Sequence, residues 1–126
     1  TFLCQPYFEL LRECNVAHVF NHWDKMPGVD QQLEMPGSLT TDFAAARFLL
    51  RPGRSYEQAV SSFSPYNRTQ EVNEEARQAA AKLVEMRMEA ARKVKPRRTF
   101  LYVNNRLEGN SLNTIVAVLQ RAGLLH

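Results

Sequence analysis

The residues with the most chemical potential fall in three short clusters, each at or directly after a stretch of apolar, strand-prone sequence. The first is Asn21-His22-Trp23-Asp24, the second is Arg47 followed by Arg51, and the third is Asn104-Asn105-Arg106. His22 and Asp24 are the candidates for proton transfer, because an imidazole and a carboxylate can be tuned to act as general acid or base. Glu108 is the other acid close to these clusters. Arg47 sits inside the apolar run Phe43–Leu50, where a guanidinium costs several kcal/mol unless it is paired or faces a polar cavity. Asn21, Asn104 and Asn105 could orient a polar ligand through their amides, and Trp23 could stack on it. Gly109-Asn110-Ser111 leads into a helix start, where free backbone N–H groups bind anions, and Arg106 adds positive charge nearby.

Each of these residues also has a plainer role open to it. Asn21, Asn104 and Asn105 can tie down loop backbone, His22 can be an ordinary loop histidine, and Trp23 can simply cover the end of a core. Asn110 or Ser111 can be an unremarked helix cap. His18 alternates with core residues and reads as a hydrogen-bonded core histidine. The basic run Arg92, Lys93, Lys95, Arg97 and Arg98 could meet phosphates, but a solvated helix end explains it better, so nucleic acid is the disfavoured partner. The Met86/Met88 pair reads as helix packing. The sequence contains no glycine-rich phosphate loop, CxxC pair, HExxH or GxSxG, so no metal ligands are assigned and the cofactor stays unknown.

A series of helices and strands is expected to carry these clusters. A short helix opens at Gln5-Pro6, with Pro tolerated in the first turn, and is broken at Asn15. Val16–Phe20 reads as a buried strand, and a loop follows through Met26-Pro27-Gly28. Phe43–Leu50 reads as a second strand, although Thr40, Thr41 and Asp42 could cap a helix there. Ser55–Phe63 is a short helix. The strongest local signal is a helix over Glu71–Val94, capped by Asn67 or Thr69 and stopped by Pro96. Its acids lie near the start and its bases near the end, and its apolar stripe is Ala76, Ala80, Leu83, Met86, Ala90 and Val94. Thr99–Val103 is the third strand, Leu107-Glu108-Gly109 a tight loop, and the last helix ends at Gly123.

Composition limits the function classes. The 126 residues suit one small domain, and 44% apolar with 23% charged is close to the globular average. No apolar run is long enough to span a bilayer and no signal peptide is visible, so no membrane partner is expected. The net charge of +3 permits anionic ligands without demanding nucleic acid. Cys4 and Cys14 fit no zinc or redox spacing and read as reduced, half-buried thiols, which points to a cytoplasmic location.

Strands alternating with helices indicate the α/β class with a parallel sheet. Three such strands leave faces and edges that need cover, so the expected architecture is a partial TIM-like (β/α) barrel of about three parallel strands with flanking helices. The chain is then a single domain over residues 1–126 that forms the C-terminal part of a larger barrel. In parallel α/β folds ligands bind at the C-terminal ends of strands, where the three clusters fall.

The motifs resemble those of the YecE-like family. Asn21-His22-Trp23-Asp24-Lys25-Met26-Pro27 with Gln32 is similar to one of its signatures. Arg47-Phe48-Leu49 with Tyr56-Glu57 through Pro65-Tyr66 is similar to another, and Tyr102-Val103-Asn104-Asn105 with Gly109 and Asn113 resembles its closing motif. The resemblance covers roughly residues 7 to 120. It implies a TIM-barrel fold without an established reaction, places these strands last in the barrel, and puts Asn21, Trp23, Arg47, Asn104 and Asn105 at the cavity mouth. A full member is about twice this length, so the resemblance leaves the first half of the barrel to precede Thr1. The functional expectation is a small polar or phosphorylated ligand, held by Arg47, Asn110 and Ser111 and oriented by Asn21, Asn104, Asn105 and Trp23. Its rivals are nucleic-acid binding and self-association through open sheet edges.

Overall fold

The computed structural model describes residues 2–95 and 97–126; Pro96, expected to stop the long helix, lies outside them. The order is α1 (Gln5–Glu13), β1 (Val19–His22), α2 (Val29–Glu34), β2 (Ala44–Phe48), α3 (Tyr56–Phe63), α4 (Glu74–Lys93), β3 (Thr99–Val103), α5 (Asn105–Glu108) and α6 (Ser111–Arg121). The strands form one parallel sheet in the order β1-β2-β3, with helices in every crossover. This is the expected α/β class, a partial (β/α) barrel of three parallel strands with flanking helices.

α1 carries Pro6 in its first turn and exits through Asn15, whose φ of 54° is a left-handed conformation that asparagine tolerates. The Val16 N–H closes this exit on the Leu11 carbonyl at 2.8 Å. Val16 and Ala17 therefore belong to the helix exit, and the first strand runs over Val19–His22 rather than 16–20. The Thr40 hydroxyl holds the approach: it donates to the Val16 carbonyl at 2.6 Å and accepts from the His18 N–H at 2.9 Å. Cys4 and Cys14 are exposed free thiols, not half-buried ones, because they flank α1 at its two ends, away from its buried face.

The expected loop after β1 contains a helix, α2. Val29 and Leu33, one turn apart, drive it into the core beside the buried Gln32. β2 occupies the centre of the expected run as a strand. Ala44 and Ala46 share the core with Ala76, Ala79 and Ala80, and these small side chains let helix and sheet approach closely.

α4 begins at Glu74 rather than Glu71, and its cap is Asn73, whose Oδ1 accepts from the Ala76 N–H at 3.0 Å, rather than Asn67 or Thr69. Glu71 is instead drawn to Arg51 and Arg54. The buried line runs Ala76, Ala80, Leu83, Arg87; Met86 and Val94, expected in it, are exposed. After 76, 80 and 83, a helix of about 3.6 residues per turn brings position 87 to the same face, not 86. Of the methionine pair only Met88 packs on the core. Residues 105–108, expected as a loop, form one helical turn ending at Gly109, with φ of 113°. A Cβ there would meet the Arg68 carbonyl oxygen at 2.6 Å, so both conformation and space demand glycine.

Strand register separates two faces of the sheet. Phe20, Ala46 and Leu101 form one row and His22, Phe48 and Val103 the next, both under the helices. Val19, Ala45 and Phe100, then Asn21, Arg47 and Tyr102, form the rows of the opposite face. That face is uncovered: Phe100 is 42% exposed, Tyr102 58%, and Phe43 stacks edge-on against Phe100 in the open. Among the described residues no helix is long and apolar enough to cross a membrane.

Candidate functional site

The row Asn21, Arg47, Tyr102 lies near the C-terminal ends of three adjacent parallel strands, on the uncovered face. Arg47 is exposed and has no hydrogen-bond or ion-pair partner among the described residues. Of the two roles expected of Arg47, pairing with a buried carboxylate or facing a ligand, the pairing is not made among the described residues, and Arg47 is an open arginine flanked by an amide and a phenol. Such a fork can take a carboxylate or phosphate bidentately, with the two neighbours adding donors. Tyr102 is a site residue beyond those expected; its i, i+2 relation to Phe100 in the third strand places both on one face.

Asn21 and Arg47 are thus brought together, but Asn104 is not with them. Its Oδ1 accepts from the Arg106 N–H at 2.9 Å and caps α5. The Asn105 Oδ1 accepts from the Ser111 N–H at 2.8 Å, and the Asn110 side chain spans the Asn113 N–H and the Tyr66 carbonyl, both at 2.9 Å. The start of α6 is consequently closed by its own caps. Of the backbone donors expected to take an anion beside Asn110 and Ser111, those of Ser111 and Asn113 are used by side chains; Asn104 and Asn105 tie loop backbone, and Asn110 is the helix cap. Arg106 lies over the Tyr56 ring, 4.6 Å from its centroid.

His22 and Asp24 do not form an acid–base pair on the open face. His22 is 2% exposed, on the helix side of the sheet, against Phe48 at a ring-centroid distance of 5.7 Å. Its Nε2 is buried with no hydrogen-bond partner among the described residues. Burial pushes its pKa below the ordinary value, with the charges of Glu75 and Asp30 opposing. Asp24 Oδ1 accepts from the Gly53 N–H and ties the loops after β1 and β2 together. Trp23, at the end of β1, is exposed.

Three buried polar groups organise the surroundings. Glu108 is fully buried: its carboxylate takes both Arg77 Nε at 2.8 Å and Nη2 at 3.0 Å, the Asn73 N–H at 2.7 Å and the Thr114 hydroxyl at 2.6 Å. It therefore locks the starts of α4 and α6 together and is not free for proton transfer. Gln32 donates from Nε2 to the carbonyls of Asn21 and Pro27, at 3.1 and 2.7 Å. Its Oε1 then accepts from His18 Nε2 at 3.0 Å, leaving His18 Nδ1 for the Tyr7 hydroxyl at 3.4 Å. His18 is thus a neutral, satisfied core histidine, as expected, its pKa lowered by burial against the Gln32 bond. Gln32 matters for the site because it fixes the backbone of Asn21.

Two crevices adjoin the loop after β2. One, of about 480 Å³, is lined by Arg51, Pro52, Gly53, Arg54, Gln58 and Ser62. The other, of about 330 Å³, shares Arg51 and Pro52 and adds Val72 to Glu75. Apart from Arg51, neither touches a residue of the expected clusters, and Glu71 neutralises the arginines between them, bonding Arg54 at 2.5 Å. Among the described residues no group of His, Cys, Asp and Glu is placed to hold a metal ion.

Neither a protein-family model nor a curated protein sequence matches the chain. In three dimensions it is similar to the crystal structure of a DUF72 family protein from Thermotoga maritima, with a TM-score of 0.53 and 20% identity. The alignment covers 97% of this chain and 41% of that one, so the three-stranded unit described here corresponds in fold to part of a larger α/β chain.

Proposed function

We propose that this chain is the C-terminal wall of a YecE-like (DUF72) barrel and binds a small polar, anionic ligand through the row Asn21, Arg47, Tyr102. The observation that carries the reading is Arg47: an unpaired guanidinium at the centre of an uncovered parallel sheet, near the strand ends where such folds bind ligands. Trp23, at the end of β1, supplies a stacking surface at the rim. The ordered motifs and the DUF72 neighbour support the family, and the share of the neighbour that is aligned supports the larger barrel. The reading needs neither His22 nor Asp24 as catalyst, since one is buried behind the sheet and the other holds a loop.

Thermal-shift titration with sugar phosphates and with inorganic phosphate tests it. Arg47→Ala should abolish the response while changing stability by no more than about 0.5 kcal/mol, as expected for an exposed side chain without partners. An unchanged response in Arg47→Ala defeats the reading. A second reading, self-association, is favoured by the exposed Phe100 and Tyr102 and by the outer edges of β1 and β3. Light scattering that finds a monomer at all concentrations removes it.

A further inference from the structure

On the far side of the sheet from Arg47 lies an apolar crevice that the proposed ligand row does not use. It has a volume of about 320 Å³ and opens between α4, β3 and α6. Val84, Met88, Leu101, Leu119 and Leu124 make most of its wall, and Arg87 and Arg97 are its charged residues. The size is at the lower end of the range for small-molecule pockets, about 300–1,000 Å³.

The two arginines are unusual for an apolar wall. Arg87 is 4% exposed, and among the described residues its guanidinium donates only to uncharged oxygens: the Thr99 hydroxyl at 3.3 Å and the carbonyls of Asp42 and Arg98. The carboxylate whose charge bears on it, that of Asp42, is taken by Lys95 at 3.4 Å. Arg97 has its Nε buried without a hydrogen-bond partner, and its charge acts against that of Arg87. Two buried or half-buried cations beside each other, without a carboxylate bonded to either guanidinium among the described residues, form a site of uncompensated positive charge. An anionic head group between them would satisfy the orphaned donor and relieve the repulsion. The wall next to it accepts a hydrocarbon tail.

We infer that this crevice binds a small amphiphilic carboxylate, with its head on Arg97 and Arg87 and its chain along Leu101, Leu119 and Leu124. Charge and apolar lining are both required, so neither half of such a ligand should suffice.

Amide and methyl chemical shifts of the whole chain, titrated separately with decanoate, decanol and acetate, decide the matter. Decanoate should move Val84, Met88, Leu101, Leu119 and Leu124 saturably, with decanol and acetate at least about tenfold weaker. Arg97→Gln should weaken decanoate by about tenfold or more, the effect of losing one charge-assisted contact. Arg97 is half-buried and bonds to none of the core, so this variant should fold; Leu124→Asn, at an exposed position on the crevice wall, is the second probe and should also weaken binding. Equal affinity for decanoate and decanol overturns the inference. So do an unaffected Arg97→Gln, or shifts confined to Phe43, Phe100 and Tyr102 on the open face.

Discussion

Phe20 and Phe48 on one face of the sheet, and Phe100 and Tyr102 on the other, are aromatic residues of the same three strands with opposite surroundings. The first two are buried under the helices in a core that also holds Val29, Leu33, Leu83 and Leu107. The second two stand in the open beside Arg47 and Asn21. Strand alternation sends consecutive residues to opposite faces, but it is silent on what lies across each face. The covered face excludes water and holds the unit together, each fully buried Phe or Leu contributing roughly 1.5–3 kcal/mol. The open face contributes little to stability and carries the exposed polar groups. Exposed polar groups and folding energy are therefore divided between two sides of a single sheet.

The sharpest test of that division is a matched pair of truncations. Phe48→Ala should cost about 3–5 kcal/mol in urea unfolding. Tyr102→Ala, in the next strand, should stay within about 0.5 kcal/mol. Comparable losses at both positions would erase the distinction between the faces.

A smaller effect should follow from the polar lock at the end of the covered layer. Glu108→Gln keeps the volume but removes the charge that Arg77, Asn73 and Thr114 share, and should cost about 1–3 kcal/mol. Because the lock joins α4 to α6 and touches no open-face residue, phosphate-ligand responses of the folded variant should remain. Their disappearance would show that the two faces are coupled.

The smallest effect is the pH dependence of the covered face. His18 and His22 both have pKa values lowered from 6.5 by burial, so the unfolded chain takes up protons at higher pH than the folded one. Their contribution to stability is complete above pH 6.5 and is lost as pH falls through the depressed folded values. Urea midpoints should thus fall as the solution is acidified below 6.5, and His22→Phe should flatten that fall. An unchanged slope in His22→Phe would mean that His22 is not held neutral behind the sheet.

The elements with strong local signals were readable without tertiary information. β3 lies where alternation and β-prone residues place it, and α6 is capped by Asn110 and gives way to Gly123 as its capping residues suggest. α2 was not legible, because two apolar residues among polar ones in a six-residue segment make no periodic pattern, and only packing against α4 selects the helix. In the candidate site, the sequence placed Arg47 and Asn21 at strand ends, but it grouped with them asparagines that cap helices and a histidine that lies behind the sheet.

The sequence by itself determined the order of the three strands and of the four longer helices, and the alternation that separates Arg47 from Phe48. Hydrogen bonding within a turn, capping and side-chain alternation are set by residues next to one another in the chain. Tertiary structure alone decided that Glu108 is a buried lock rather than a loop acid, since its partner Arg77 is 31 residues away. It also decided that Asn21 and Tyr102 flank Arg47, because parallel pairing aligns residues from distant strands in one row. Burial and register are properties of which segments meet, and no local stretch of sequence contains both partners.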